Sequence, residues 1–177
     1  FVSEREGKKN GAQGQGDIYV AERLSRTTWS EPKNLGPVIN TAGDEISVFI
    51  HPDGKTLFFS SNGHMSVGGL DIFMSKMKED GTWGKPENLG YPINTVDDDV
   101  HFVLSTDGKT AHYSAVKDEG MGERDIYTID MSEYPILSEG VSINLSILQG
   151  TVKKSGDDDK VVANVVFKDD TGKEVAK

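Results

Sequence analysis

The densest group of side chains that could bind a ligand or take part in a reaction is Asp97-Asp98-Asp99, followed two positions later by His101. Carboxylate oxygens are the ligands that calcium and similar hard cations prefer. Asp99 and His101 are two residues apart, so they lie on one face if this segment is a strand. A cation site formed by Asp97, Asp99 and His101 is therefore one interpretation of the cluster.

The rest of the chain offers little catalytic chemistry. The four histidines are scattered and form no HExxH pair, which disfavours a zinc site. No G-x-S-x-G elbow is present, the glycine-rich segment 11–16 lacks the lysine of a phosphate loop, and the acidic run 157–159 lacks the ligand spacing of a calcium loop. The chain contains no cysteine and therefore no thiolate metal site. We predict no catalytic residues, no cofactor and no enzymatic activity.

The polar cluster belongs to a unit that repeats every 54 residues. Residues 17–70 and 71–124 align without a gap and share 18 identities in 54 positions. A period near 50 residues is typical of repeat architectures such as the propeller, in which each unit buries its apolar face only against its neighbours. The repeat therefore constrains the fold more than any other feature of the sequence.

One repeat predicts four short strands joined by turns. Segments 46–50, 55–60 and 70–75 are β-rich, and a short, proline-interrupted fourth strand follows Trp83. Four antiparallel strands per unit form the blade of a β-propeller. The predicted fold class is all-β: a partial β-propeller with four-stranded blades and a 54-residue repeat, followed by a partial β-sandwich.

The residues that recur most regularly have structural explanations. An aspartate at the start of each third strand is expected to accept backbone N–H bonds from a neighbouring turn. A tryptophan is expected to pack between adjacent blades, and Asp-Gly supplies the turn between the first two strands. These scaffold positions are Asp17, Asp71 and Asp125; Trp29 and Trp83; and Asp53-Gly54 and Asp107-Gly108.

The pattern divides the chain into three parts. Residues 1–131 are predicted to be the C-terminal blades of a propeller, because the third copy loses the tryptophan signature at Leu137. Residues 132–143 are predicted to be a linker, and residues 144–177 the start of a β-sandwich. The chain opens in mid-pattern, which we interpret as a piece of a longer polypeptide.

A propeller fold offers a second interpretation of the carboxylates at the start of the first strand of each blade. Asp44 and Glu45, and their counterparts Asp98 and Asp99 in the next copy, would line the mouth of the central channel in contact with water. We prefer this interpretation to the cation site, because the earlier copy lacks the histidine.

Charge and hydropathy exclude several partners. The formal net charge is −10, which argues against nucleic acid and against anionic membrane surfaces. No apolar run approaches the ~20 residues of a membrane-spanning helix. We therefore expect neither nucleic-acid binding nor membrane insertion by this segment.

The repeat resembles a known family. The segment from His51 to Asn62, followed by Gly69-Leu70-Asp71-Ile72-Phe73, is similar to the TolB-type propeller repeat. Together with Trp83 and the segments 86–90 and 93–95, it resembles the propeller of OmpA-family envelope proteins, including the PorE-like component of type IX secretion. Segment 148–152 is similar to the opening strand of the carboxypeptidase-regulatory-like β-sandwich that follows the propeller in that family.

The resemblance implies a scaffold. It implies a periplasmic, outer-membrane-associated protein that docks other envelope proteins and binds peptidoglycan through a domain not in this chain. The loops between second and third strands, residues 5–16, 62–69 and 116–124, are expected to cluster on one side as the docking surface. The alternative is an accessory propeller that binds substrate for a secreted or periplasmic peptidase or glycosidase.

Overall fold

The computed structural model describes residues 1–4, 11–117, 120–134, 167–168 and 174–176. The chain divides into two compact units, Phe1–Asn144 and Leu145–Lys177. The described residues are all-β: their strands form antiparallel sheets of two to four strands, and no helix occurs among them. Accordingly, the described part of the chain holds no helix with the length and apolarity needed to cross a membrane.

Three sheets follow one another along the first unit. The first sheet contains β1 (Val2–Glu4), β2 (Asp17–Val20) and β3 (Lys33–Asn34) in that order. The second contains β4 (Glu45–Ile50), β5 (Thr56–Ser61), β6 (Asp71–Lys76) and β7 (Glu87–Asn88). The third contains β8 (Val100–Leu104), β9 (Thr110–Ala115) and β10 (Asp125–Asp130). Strands β4, β5 and β6 lie within about a residue of the predicted segments 46–50, 55–60 and 70–75, because turns and alternation are local signals.

The Asp-Gly turns form as predicted for a tight connection between strands. Gly54 and Gly108 have φ values of 68° and 71°, in the left-handed region that glycine adopts without strain. The Asp53 carboxylate accepts backbone N–H bonds from Lys55 and Thr56 at 2.7 and 2.8 Å. These bonds hold the turn between β4 and β5, and the carboxylate of Asp107 accepts the equivalent bond from Lys109.

The second sheet is buried on both faces. Leu57, Phe59 and Phe73 pack against the first sheet, whereas the alternate residues Phe58 and Ile72 pack against the third. Successive side chains of a strand point to opposite faces, so a continuous apolar run is what a strand between two other layers requires. The core of the first unit therefore consists of two apolar layers, one on each side of the second sheet.

The two tryptophans of the repeat have different surroundings. Trp83 is 8 % exposed, lies in the layer between the first two sheets, and meets the ring of Phe1 edge-to-face with centroids 6.1 Å apart. Trp29 is 60 % exposed, and the guanidinium of Arg23 lies over its ring. Trp83 thus packs between two sheets, whereas none of the described sheets covers Trp29, for which packing between neighbouring units stays a prediction.

The outer face of the third sheet is more polar than its counterpart in the second. Val103 and His112 form a cross-strand pair, as Phe49 and Phe58 do 54 residues earlier. His112 and Ile126 are exposed, whereas Phe58 and Ile72 are fully buried against the third sheet. The third copy has thus replaced large apolar side chains on the face that no described sheet covers.

Each complete first strand contains a bulge at the same place. The register of β4 with β5 shifts between Ile46 and Phe49, and that of β8 with β9 shifts between Val100 and Val103. At these bulges Ser47 and His101 have φ values of 54° and 59°, which L-residues other than glycine rarely adopt. The extra residue interrupts the strict alternation of faces along the strand.

In the second unit, β11 (Phe167–Lys168) pairs antiparallel with β12 (Glu174–Ala176). Of residues 144–177, predicted to begin a β-sandwich, only 167–168 and 174–176 are described, and segment 148–152 lies outside them. Most of the predicted linker, including Leu137, also lies outside them. The β-sandwich stays a prediction.

Candidate functional site

In each copy, the loop between the second and third strands is bonded to the aspartate at the start of the third strand. Asp71 is fully buried and accepts backbone N–H bonds from Val67 at 2.6 Å and Gly68 at 3.3 Å. The counterpart carboxylates act in the same way: Asp17 accepts from Gln13 and Gly14, and Asp125 accepts from Met121. A loop whose backbone is bonded to its own sheet presents its side chains in fixed positions.

Two asparagines complete this anchor. Asn88 donates to the Asp71 carboxylate at 2.8 Å, and Asn94 donates to Asn88 at 2.7 Å. Asn94 also exchanges hydrogen bonds with the backbone N–H and C=O of Ile72. The first copy repeats the network with Asp17, Asn34, Asn40 and Ile18. These asparagines were not predicted as site residues, although their recurrence at the 54-residue spacing is visible in the sequence.

Glu45 is fully buried at the contact between the first two sheets. Its backbone N–H donates to the carbonyl of Gly16 at 2.6 Å. Its carboxylate accepts three hydrogen bonds of 2.7 Å, from the Thr41 N–H, the Thr41 hydroxyl and the Ser61 hydroxyl. The prediction that Glu45 lines a channel mouth in water is therefore wrong, because the bulge and the neighbouring sheet turn this carboxylate into the interior.

Asp99 occupies the equivalent place between the second and third sheets and is also fully buried. Its Oδ2 accepts from the Thr95 N–H at 2.6 Å and from the Thr95 hydroxyl at 3.1 Å. Its Oδ1 has no hydrogen-bond partner among the described residues. Asp99 is thus a second predicted channel-mouth residue that the structure places in the interior, and it is less well paired there than Glu45.

Burial raises the pKa of the Asp99 carboxyl above its usual range, and the nearby charge of Asp71 adds to the effect. The protonated form is therefore favoured by folding, and its contribution to stability is lost as pH rises through the folded-state pKa. The free energy of unfolding of the wild type, minus that of Asp99→Asn, should fall as pH rises above about 3.8, the usual aspartate value. Urea denaturation of both proteins between about pH 3 and pH 8 measures this difference.

Asp53 provides a control, because its contribution to the free energy of unfolding should change with pH in the opposite direction. Partial burial acts to raise the pKa of Asp53, but hydrogen bonds from Thr56 and from the backbone of Lys55 hold it below its usual value. Stability from this group is lost as pH falls, so the difference between wild type and Asp53→Asn should rise with pH over the same range. The same slope for both pairs of proteins would contradict the assignment for Asp99.

The other two predicted channel-mouth residues are partly exposed. Asp98 accepts the Leu70 N–H at 2.9 Å and pairs with the guanidinium of Arg124 at 2.5 Å. Asp44 lies at the contact with the first sheet, where its backbone forms a bridge with Gly16. The Asp98 carboxylate therefore joins the loops of neighbouring sheets.

The alternative cation site is not formed. Asp97 and His101 are exposed, whereas Asp99 is buried, and the positive φ of His101 breaks the alternation that would have put Asp99 and His101 on one face. Within residues 1–4, 11–117 and 120–134, no three histidine, aspartate or glutamate side chains come together as metal ligands.

Lys117 follows β9, and its ammonium is held between two tyrosines. Its Nζ donates to the Tyr113 hydroxyl at 2.8 Å and lies 5.2 Å and 4.5 Å from the ring centroids of Tyr113 and Tyr127. Such cation–π contacts fix an ammonium at low conformational cost. Lys117 was not predicted as a site residue, because Tyr113 and Tyr127 come together beside it only through the pairing of β9 with β10.

A cleft opens beside Lys117, between the loop after β7 and the end of β9. We call it the seam cleft; it is lined by Tyr91, Pro92, Thr95, Val96, Asp97, Val116 and Lys117 and has a volume of about 510 Å³. Of its lining, Tyr91 and Val96 are large exposed apolar side chains, and the loops between second and third strands expose Met65, Val67 and Met121. This end of the second and third sheets therefore combines a cleft with an apolar rim.

No family model and no curated protein matches this chain.

Proposed function

We propose that residues 1–134 form consecutive blades of a β-propeller. Three observations support the proposal: the sheets are antiparallel, they repeat with a constant offset of 54 residues, and each packs face to face on the next. Backbone bonds from Glu45 to Gly16 and from Asp99 to Leu70 join successive sheets at equivalent positions. In this proposal residues 144–177 begin a β-sandwich similar to the carboxypeptidase-regulatory module.

We infer that the propeller is a non-enzymatic docking scaffold of the bacterial envelope. The resemblance of the repeat supports a periplasmic, outer-membrane-associated protein of the OmpA family, with a secretion-system component among the possibilities. Its partners would be envelope proteins, and attachment to peptidoglycan would come from a domain outside this sequence. No nucleic acid and no membrane insertion by this segment are proposed.

The observation that carries the proposal is a rigid loop face with exposed apolar side chains. Val67 and Met121 occupy equivalent positions and are 65 % and 99 % exposed, while their backbone N–H groups are bonded to Asp71 and Asp125. Large exposed apolar side chains on fixed loops are typical of surfaces that bind proteins. A surface of this kind loses little conformational entropy when a partner binds.

Replacing Met65, Val67 and Met121 together by serine should abolish the capture of outer-membrane proteins. These residues contribute apolar contact area but no hydrogen bond from their side chains, so the fold should not change. The measurement is affinity capture from envelope extract with immobilised protein, followed by quantitative mass spectrometry. We expect at least about a tenfold loss of each specific partner, as for the removal of interface anchors.

Ile126→Ser is the matched control. Ile126 is 80 % exposed but lies on the outer face of the third sheet rather than on the loops. The control should retain the partners that the triple variant loses. Equal recovery with wild type and the triple variant would exclude the loop face as the docking surface.

A further inference from the structure

The first two copies of the repeat carry opposite charges along one segment. Nine of the 54 aligned positions hold a charged residue in both copies, and the sign is kept at five of them and reversed at four. All four reversals lie in the segment that ends each sheet, and none lies outside it. In this segment Glu22, Arg26, Glu31 and Lys33 are replaced by Lys76, Asp80, Lys85 and Glu87.

The two segments share one backbone arrangement. We call residues 22–34 the first edge segment and residues 76–88 the second; they end in β3 and β7, which are the last strands of their sheets. In both, the asparagine that follows the last charge lies opposite the aromatic residue of the third strand, and an isolated bridge reaches the tryptophan. The edge segments are therefore two copies of one shape with opposite charge patterns.

The reversed charges around the prolines are exposed. Glu31, Lys33, Lys85 and Glu87 all face solvent, and none of these four forms an ion pair within the part of the chain that the structure describes. The proline between the two charges of each edge segment has no N–H to donate, so a ladder of backbone hydrogen bonds cannot continue past it. Recognition at these edges is therefore left to the charged side chains.

The proposed propeller places the two edge segments side by side on its outer surface. Successive blades are related by rotation about one axis, so equivalent residues of the two segments lie at the same height along that axis. A two-fold rotation about a parallel axis keeps these heights and brings the first edge segment of one molecule opposite the second edge segment of another. A two-fold contact of this kind uses every pair of residues twice.

We propose that the two edge segments form a self-complementary surface through which two copies of this chain associate as a two-fold symmetric dimer. Glu31 of one copy faces Lys85 of the other, and Lys33 faces Glu87. Without the reversal the same symmetry would bring like charges together, which costs several kcal/mol in protein interfaces. The proposal rests on the blade arrangement proposed above but not on the docking function.

The dimer should be weak and sensitive to salt. Exposed ion pairs contribute little individually, and the net charge of −10 opposes association at long range. Sedimentation velocity of the chain at about 300 µM, a concentration that detects dissociation constants in the micromolar range, should show dimers at low ionic strength. At about 1 M salt, where the screening length falls to about 3 Å, the chain should sediment as a monomer.

Exchanging the charges of one edge segment tests the complementarity itself. Glu31→Lys/Lys33→Glu gives both segments the second pattern, and Lys85→Glu/Glu87→Lys gives both the first, while the net charge of −10 is unchanged. Each variant alone should associate at least about tenfold more weakly than wild type, because like charges then meet. An equimolar mixture of the two should recover association, since every contact again joins opposite charges.

Three results would overturn the proposal. The first is a wild-type chain that stays monomeric at low ionic strength. The second is a dimer that neither salt nor a charge exchange weakens. The third is a mixture of two folded variants, checked by circular dichroism, that associates no better than either variant alone.

The docking proposal is separated from the dimer by two reciprocal measurements. Met65→Ser/Val67→Ser/Met121→Ser should dimerise like wild type, because its substitutions lie on the loops between second and third strands and not on the edge segments. The charge-exchange variants should capture the same envelope proteins as wild type. Loss of the dimer with unchanged capture therefore concerns the edge segments alone, and loss of capture with an unchanged dimer concerns the loops alone.

Discussion

Trp83→Ala should lower the free energy of unfolding by about 3–5 kcal/mol, the usual cost of removing a large aromatic side chain from a core. Trp83 fills the apolar layer between the first two sheets together with Phe59 and Phe73, so its truncation leaves a cavity in this layer. Urea denaturation followed by far-ultraviolet circular dichroism measures the effect.

Trp29→Ala is the control that the repeat provides. The two tryptophans occupy equivalent positions, but Trp29 is largely exposed and contacts mainly the Arg23 guanidinium. Its removal should change the free energy of unfolding by about 0.5 kcal/mol or less, as is usual at the surface. Similar losses for the two variants would show that a further element covers Trp29 in solution.

Gly68→Ala should also be strongly destabilising. A Cβ at this position would lie 2.4 Å from the carbonyl oxygen of Thr95 and 2.6 Å from the carbonyl carbon of Val96. Both atoms belong to the backbone, so the neighbouring loop would have to move as a whole. We expect a loss of about 1–3 kcal/mol, the range found for overpacked sites.

Gly122→Ala is the corresponding control. Gly122 is the third copy of the same glycine, has no other heavy atom within 4 Å of its Cβ position, and shows no positive φ. Alanine there should leave stability unchanged or raise it by up to about 1 kcal/mol, because it restricts the unfolded chain. If Gly122→Ala cost as much as Gly68→Ala, the close approach of neighbouring loops would not explain the first effect.

The tryptophan and glycine pairs illustrate which parts of the fold could be predicted from the sequence. The strands around the Asp53-Gly54 turn were predicted to within about a residue, because turn chemistry and alternation are encoded locally. The burial of Trp83 and the exposure of Trp29 could not be predicted, since the two residues occupy equivalent positions of similar repeat copies. Their difference depends on whether another sheet lies against that face, which is not a local property.

The candidate site was predictable to a smaller extent for the same reason. Asp44, Glu45, Asp98 and Asp99 were correctly recognised as a recurring acidic group, but which of them face the interior depends on the bulge at Ser47 and His101. The replacement of Gly63 by Lys117 was visible in the aligned repeat. Lys117 follows β9 and Asp99 precedes β8, and these two strands pair within the third sheet.

The bulges at Ser47 and His101 also bear on aggregation. β4 and β8 lie at the ends of their sheets in the described structure, where unpaired N–H and C=O groups can recruit a strand from another molecule. A left-handed residue in the middle of such a strand bends it and interrupts the ladder, so a flat strand cannot add along its length. At a conformational cost of about 1–3 kcal/mol per residue, each complete copy of the repeat therefore carries its own barrier against edge-to-edge association.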